Sequence, residues 1–80
     1  MVDVIFEDEF KKAFQKIKDS SLKEKIMKQV EKIKSDPEIG KPMRYSRKGT
    51  REIYIPPFRL SYTIEEDVVY VLDIYHKDEQ

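Results

Sequence analysis

Hydrophobic and polar residues along the chain change their period twice, which divides it into strand and helix regions. Residues 2–6 alternate, with Val2, Val4 and Phe6 on one side, and this predicts a strand. Apolar residues then recur every three or four positions over 10–17 and again over 22–33, which is typical of two amphipathic helices. From residue 52 the period returns to two, so the remainder of the chain predicts strands.

The boundaries of the two helices are predicted from local signals. The first helix should begin at residue 8 or 9 and break at Ser20-Ser21. Ser21 followed by Glu24 has the spacing of a capping box, in which each side chain satisfies the other residue's backbone N–H. The second helix should begin there and end before Pro37, since helical geometry is disfavoured in the residue preceding a proline. So short a break predicts an antiparallel helical hairpin.

Three further strands are predicted over residues 52–55, 58–64 and 68–75, with turns at 56–57 and 65–67. Residues 39–49 show no strong alternation and predict a loop or an irregular strand. The fold class is therefore α+β, of order β-α-α-β-β-β, with an N-terminal helical hairpin packed on one face of a small, mainly antiparallel sheet. Residues 1–80 form a single domain.

Parity within the strands predicts which side chains face the helices. One set in the 58–64 strand should face the helices, and the alternate set, Arg59, Ser61 and Thr63, should face solvent. Arg51 shares the parity of Ile53 and Ile55, so its direction stays open. The set predicted to face the helices comprises Phe58, Leu60, Tyr62 and Ile64.

Composition excludes several classes of function. The 80 residues contain no cysteine, one histidine and two glycines. Disulfides, thiolate zinc sites and glycine-rich phosphate loops are therefore excluded, and we expect no metal site and no cofactor. The longest apolar runs span only two or three residues, so no membrane span is expected, and a cytoplasmic location fits best.

The formal net charge of zero hides a segregation of charge. Residues 41–59 carry six basic side chains and one acid, Glu52, and four of the six are arginines in a chain otherwise rich in lysine. Because arginine matches phosphate geometry better than lysine does, this stretch predicts an anionic contact surface, with a solvated loop as the alternative. The basic residues are Lys41, Arg44, Arg47, Lys48, Arg51 and Arg59.

Four short stretches follow one another along the second half of the chain. They are Gly40-Lys41-Pro42-Met43, Lys48-Gly49-Thr50-Arg51, Phe58-Arg59-Leu60-Ser61-Tyr62 and His76-Lys77. In this order they resemble the motifs of the RelE/ParE toxins of type II toxin–antitoxin pairs. The resemblance implies a single RelE-like domain and a cognate antitoxin as partner. The RelE-like branch of that family is an mRNA interferase: it cuts messenger RNA in the ribosome without a cofactor and so inhibits translation.

The resemblance also implies roles for individual residues. In the endoribonuclease branch a 2′-hydroxyl attacks the adjacent phosphorus and leaves a cyclic phosphate, which needs cations at the phosphate oxygens and groups that exchange protons. By position, Arg51 and Arg59 would hold the phosphate, His76 would donate a proton and Lys77 would add charge. Residues implied to contact RNA are Arg44, Arg47, Lys48 and Tyr75.

Two alternatives stay open. Many RNA-cutting members carry a tyrosine beyond the histidine, and this chain has none there, which favours a non-catalytic ParE-like inhibitor of DNA gyrase. The second alternative is that the chain is a weakly toxic or inactive member of the family, which acts only as a protein-binding module.

Individual side chains also have structural interpretations. Arg59 can pair across the sheet with Glu52 or Asp73, as cross-strand ion pairs commonly do. Strand tyrosines can stack on bases, but Tyr62 and Tyr70 are favoured for the core.

Overall fold

The computed structural model describes residues 2–43 and 49–79, in which five strands form one sheet and two helices cover one of its faces. The predicted α+β class and helical hairpin are confirmed, and a short second strand is added to the predicted order. The elements are β1 (Asp3–Phe6), α1 (Asp8–Lys16), α2 (Ser20–Ser35), β2 (Lys41–Pro42), β3 (Thr50–Ile55), β4 (Phe58–Glu65) and β5 (Val68–His76), followed by a 3₁₀ turn (Lys77–Glu79).

The strands lie in the order β1-β5-β4-β3-β2. The prediction of a mainly antiparallel sheet is confirmed, because only β1 and β5 run parallel among the described strands. β1 pairs with β5 along residues 68–71 alone, and the last rung is a hydrogen bond from the Glu7 N–H to the Val71 carbonyl at 2.9 Å. Residues 72–76 of β5 therefore extend beyond the end of β1.

The core lies between the helices and one face of the sheet. Three phenylalanine rings follow one another from β1 into α1, with centroids 5.3 Å apart for Phe6 and Phe10 and 5.5 Å apart for Phe10 and Phe14. This row begins the apolar layer that the spacing of the first helix predicted. The other buried apolar residues are Ile17, Ile26, Val30, Ile33, Ile55, Leu60, Tyr62, Val69, Val71 and Ile74.

The start of α2 differs from the prediction. Asp19 is the N-cap, and its carboxylate accepts hydrogen bonds from the N–H groups of Ser21 at 3.0 Å and Leu22 at 3.3 Å. The Ser21 hydroxyl donates to the same oxygen, and this bond lowers the pKa of Asp19. The predicted capping box at Ser21 and Glu24 is therefore wrong, and the break between the helices precedes Ser20, because a charged carboxylate is a stronger acceptor for the orphan N–H groups.

A β-bulge in β5 changes the direction of its last residues. Ser61 pairs with Asp73 and Tyr62 pairs with Val71, which leaves Leu72 as an extra residue in β5. Side chains beyond the bulge therefore exchange faces. Ile74 joins Val71 in the core, and Tyr75 rather than His76 lies opposite Arg59 on β4.

The two tyrosines predicted for the core have different outcomes. Tyr62 is fully buried, which confirms the prediction. Tyr70 lies opposite Thr63 and Ile5, on the face that carries no helix, and is only half-buried. The prediction for Tyr70 is wrong, because the parity of Val69 and Val71 assigns the core face of β5 to its odd residues before the bulge.

Tyr62 and Arg51 tie the connection between α2 and β2 to the sheet. The Tyr62 hydroxyl donates to the Pro37 carbonyl at 2.7 Å and accepts from the Gly40 N–H at 2.9 Å. Arg51, opposite Tyr62 on β3, donates from Nη1 to the carbonyls of Gly40 at 2.8 Å and Glu38 at 3.1 Å. Burial raises the pKa of the Tyr62 phenol.

Neither α1 nor α2 is long and apolar enough to cross a membrane.

We expect Gly40→Ala to destabilise the fold. A Cβ at this position would lie 2.6 Å from the Tyr62 hydroxyl oxygen and 2.7 Å from its Cε1, so the clamped connection would have to shift. The expected loss is about 1–3 kcal/mol in the free energy of unfolding, measured by urea denaturation. The exposed neighbour Lys41→Ala is the control. Equal midpoints for the two variants would contradict the close approach.

We expect stability to fall as pH rises above about 10, the ordinary pKa of tyrosine. The folded state keeps the Tyr62 proton to a higher pH than the unfolded state does, so the unfolded state releases it first and gains stability. Tyr62→Phe should lower stability at neutral pH and flatten this alkaline decline. Tyr54→Phe, which alters a half-exposed ring, is the control. A decline as steep in Tyr62→Phe as in the wild type would exclude this linkage.

Candidate functional site

Four side chains form a cluster on the sheet face that carries no helix. Arg59 of β4 lies opposite Tyr54 on β3 and Tyr75 on β5, so these three residues are neighbours across three strands. Glu52 lies two residues before Tyr54, on the same face. Glu52, Tyr54, Arg59 and Tyr75 are called the Arg59 cluster below.

Glu52 is the buried centre of the Arg59 cluster. Its side chain is 3% exposed, and its Oε2 accepts a hydrogen bond from the Tyr75 hydroxyl. Oε1 lies 3.7 Å from Nη1 of Arg59, so the ion-pair interpretation of Arg59 is confirmed for Glu52. Because 3.7 Å is longer than a good hydrogen bond, attraction between charges holds the arginine more than directional bonding does.

Arg59 keeps donors available for a ligand. Its side chain is 38% exposed. Its Nε is buried and has no hydrogen-bond partner among the described residues, so a ligand would be bound by the outer Nη groups. The guanidinium carbon lies 5.6 Å from the centroid of the Tyr54 ring, within cation–π range. Tyr54 is itself 50% exposed. A guanidinium beside an exposed aromatic ring suits a ligand that carries both a phosphate and a base.

Ser61 differs from its prediction as a solvent-facing residue. It lies on the same face as Arg59 but is buried. Its short side chain stands between Glu52 of β3 and Asp73 of β5, its partners in the sheet, and these longer side chains shield it from solvent. The uncovered face is therefore closed at its centre by its own side chains, without help from a helix.

Arg51 and His76, predicted as catalytic residues, lie on the helix side of the sheet. Arg51 is bonded to the backbone of residues 38–40, whereas His76 lies opposite Phe58 at the other end of the strands, with ring centroids 5.8 Å apart and the rings edge-on. The Nδ1 atom of His76 accepts from the Asp78 N–H at 3.3 Å. The structure therefore brings neither residue into the Arg59 cluster.

The other predicted site residues have different positions. Lys77 is exposed in the 3₁₀ turn, and its N–H donates to the Pro57 carbonyl at 3.0 Å. Tyr75 is in the Arg59 cluster. Predicted RNA contacts at Arg44, Arg47 and Lys48 lie outside the described residues.

Sequence reasoning did not assign Glu52 to the site. The available signal was its isolation, since it is the single acid within the basic stretch of residues 41–59. No group of three or more acidic or histidine side chains in residues 2–43 and 49–79 is arranged to hold a metal ion. Two groups of the Arg59 cluster that can carry an exchangeable proton, the Glu52 carboxylate and the Tyr75 hydroxyl, are hydrogen-bonded to each other.

The comparison with protein families identifies one family. Residues 4–80 match the family described as ParE toxin of type II toxin–antitoxin system, parDE. No curated protein matches the sequence significantly.

Solved structures share the fold at low sequence identity. The chain is similar to the E. coli RelBE toxin–antitoxin complex, at 21% identity and a TM-score of 0.79 over 95% of this chain and 96% of that one. It is similar to the RelBE2 toxin–antitoxin complex from Mycobacterium tuberculosis, at 21% identity and a TM-score of 0.84 over 95% of this chain and 98% of that one. It is also similar to the YoeB/ParE toxin from Agrobacterium tumefaciens, at 15% identity and a TM-score of 0.81 over 94% of this chain and 98% of that one.

We expect Arg59→Ala to lower the free energy of unfolding by about 1–3 kcal/mol, because Glu52 loses the cation beside its buried carboxylate. Arg59→Ala combined with Glu52→Gln should cost less than the sum of the single changes, since a neutral amide does not need that cation. Lys32→Ala, an exposed lysine of α2, is the control. Additive losses in urea denaturation would show that the two charges do not interact.

Proposed function

The chain belongs to the ParE toxin family of type II toxin–antitoxin systems, and from that premise we propose that it inhibits translation by cutting messenger RNA in the ribosome. The Arg59 cluster is the proposed site. We further propose that the protein acts in the cytoplasm and is neutralised there by a cognate antitoxin. One observation carries the proposal: a half-exposed arginine guanidinium lies beside an exposed tyrosine ring.

The chemistry expected at this site follows from the charges of the cluster. The Arg59 guanidinium binds the non-bridging oxygens of the scissile phosphate and offsets the charge that grows as the 2′-oxygen attacks phosphorus. Tyr54 stacks on a neighbouring base and so aligns the RNA. The bond to the 5′-oxygen breaks and that oxygen takes up a proton, from solvent water unless a side chain supplies it, leaving a cyclic phosphate on one fragment and a hydroxyl on the other.

Proton transfer is assigned to Tyr75 and Glu52 together. The Tyr75 hydroxyl donates to the buried Glu52 carboxylate, so Tyr75 can accept the 2′-hydroxyl proton while it passes its own to Glu52. Glu52 does not need to contact RNA in this arrangement, which agrees with its burial. The role of proton donor to the leaving group, predicted for His76, remains a separate prediction.

The test is messenger RNA cleavage in a reconstituted translation reaction, mapped by primer extension. We expect discrete cuts in the decoding site with the wild type. Arg59→Ala should lower the cleavage rate about a hundredfold or more, and Arg59→Lys should retain part of it because the charge remains while the fork is lost. Tyr75→Phe should also slow cleavage. Lys32→Ala, on the opposite side of the molecule, should cleave like the wild type.

Two further outcomes decide between the roles of the residues. Loss of cleavage in His76→Ala with normal stability would support the proton-donor prediction, and full activity would exclude it. Intact messenger RNA with unaffected protein synthesis would exclude the nuclease proposal altogether.

A second candidate function is a non-catalytic inhibitor that binds a protein target such as DNA gyrase. The observation that favours it is the charge of the cluster, because Glu52 offsets the positive charge of Arg59. Inhibition of DNA supercoiling by gyrase, with messenger RNA left intact, would establish this alternative. In that case Tyr75→Phe should leave inhibition unchanged, since no proton is transferred.

A further inference from the structure

The edge strand β2 adds a cation to the uncovered sheet face, next to the Arg59 cluster. Lys41 lies opposite Glu52 across β2 and β3, and residues paired in this way have their side chains on the same face. Its neighbour Gly40 points the other way, because a Cβ there would lie 2.6 Å from the hydroxyl oxygen of the buried Tyr62. Both observations direct the Lys41 side chain to the uncovered face.

The ammonium group of Lys41 is available to a ligand. The residue is exposed, and within the part of the chain that the structure describes it forms no ion pair, either with Asp36 and Glu38 before it or with any other acid. The carboxylate opposite it, Glu52, is already engaged within the Arg59 cluster. Lys41 therefore brings a positive charge that no described carboxylate offsets by direct contact.

The position of Lys41 is fixed from the helix side of the sheet. β2 is only two residues long, so its own pairing with β3 supplies little constraint. The chain directly before it is held by four hydrogen bonds, which join the Tyr62 hydroxyl and the Arg51 guanidinium to the backbone of residues 37–40. These bonds prevent the edge strand from moving away and so determine where Lys41 projects.

Charges on the uncovered face give it a direction. One row of paired residues crosses four strands and is basic at β2 and acidic at β5, so a polyanion bound to this face is directed toward β2. From β2 to β5, the row comprises Lys41, Glu52, Ser61 and Asp73.

Lys41 and Arg59 flank the strand that carries Tyr54. Two strand spacings and two residues of rise separate the Cα atoms of Lys41 and Arg59, a distance of about 12 Å. The half-exposed Tyr54 ring stands on β3, between the strands of these two residues. Because like charges repel, cations on separate strands suit two phosphates on either side of one base better than they suit a single phosphate.

We propose that Lys41 binds the phosphate next to the scissile one, across the nucleotide whose base stacks on Tyr54, and that Arg51 is a positioning residue that acts through Lys41. Arg51 does not contact RNA in this arrangement, in contrast to the role that the sequence resemblance implies for it. The inference rests on the proposed function in that RNA is the ligand of the Arg59 cluster, but it concerns binding and not cleavage.

The probe is a short, fluorescently labelled single-stranded RNA with 2′-O-methyl riboses, which cannot supply the attacking hydroxyl. Its affinity is measured by fluorescence anisotropy over a series of salt concentrations. Each phosphate contact releases counterions, so the slope of log affinity against log salt reports the number of contacts, at about 0.7 for each contact with a single strand.

The first set of variants tests the direct contact. Lys41→Ala should weaken binding of the probe about three- to tenfold at low salt and reduce the salt slope by about 0.7. Lys41→Arg should keep the slope of the wild type, because the charge remains. Lys32→Ala removes an exposed lysine of α2 and should leave affinity and slope unchanged. Urea denaturation should give equal midpoints for Lys41→Ala and the wild type.

The second set tests the positioning role. Arg51→Gln should weaken binding of the probe when Lys41 is present and should have no further effect in a Lys41→Ala background. An arginine that bound RNA itself would instead lower affinity in both backgrounds. Tyr62→Phe removes the other half of the clamp while keeping the ring in the core, and it should show the same dependence on Lys41.

Three results would overturn the proposal. These are a wild type with no measurable affinity for the probe, a Lys41→Ala variant with the affinity and slope of the wild type, or an equal loss in Lys32→Ala. An additive loss for Arg51→Gln and Lys41→Ala would overturn the positioning role alone.

The translation reaction separates this inference from the nuclease proposal. Intact messenger RNA, together with binding of the probe that depends on Lys41, would exclude cleavage and retain the phosphate contact. Cleavage at the wild-type rate by Lys41→Ala, with unchanged binding of the probe, would retain the nuclease and exclude the contact.

Discussion

The helical hairpin covers a single face of the sheet, and this constraint determines the character of both faces. The large side chains of the sheet that are completely buried all point toward the helices, and these are Leu60, Tyr62, Val69 and Val71. A chain of 80 residues supplies one apolar layer of this kind. The strands therefore present the core with one set of residues and leave the alternate set to form a polar cluster on the uncovered face.

The Arg59 cluster shows what an uncovered sheet face requires for stability. Without a helix above it, the face must bury its polar groups beneath one another, and Glu52 is buried in this way beside Arg59 and Tyr75. The same carboxylate competes with any anion that approaches the guanidinium. Affinity for a phosphate is thus set by a difference, the attraction to Arg59 less the cost of weakening an ion pair already present. If the cluster binds RNA as proposed, this arrangement favours ligands that also gain from stacking on Tyr54.

Much of the fold could be predicted because hydrophobic periodicity reports which side of an element is buried. The two helices, the three long strands and the burial of Tyr62 all follow from it. The errors occur where a local contact, rather than the hydrophobic pattern, determines the conformation. The N-cap depended on a competition between Asp19 and Ser21 that spacing does not resolve. The separation of His76 from Arg59 depended on one extra residue, which strict alternation does not reveal. Glu52 was visible in the sequence only as an isolated acid, since its role arises from the pairing of strands.

The bulge at Leu72 sets which of two adjacent side chains reaches the uncovered face. With the extra residue, Tyr75 lies opposite Arg59. Unbroken alternation from Val71 would instead put Ile74 opposite Arg59, and it would turn His76 to the uncovered face and Tyr75 to the helix side. A histidine exchanges protons near neutral pH, whereas a tyrosine does so only near pH 10 in water. Loss of the bulge with the sequence unchanged would therefore exchange one acid–base group for another on the uncovered face, while every residue of the strand stays the same. Evolution of chemistry on this sheet does not have to proceed by substitution.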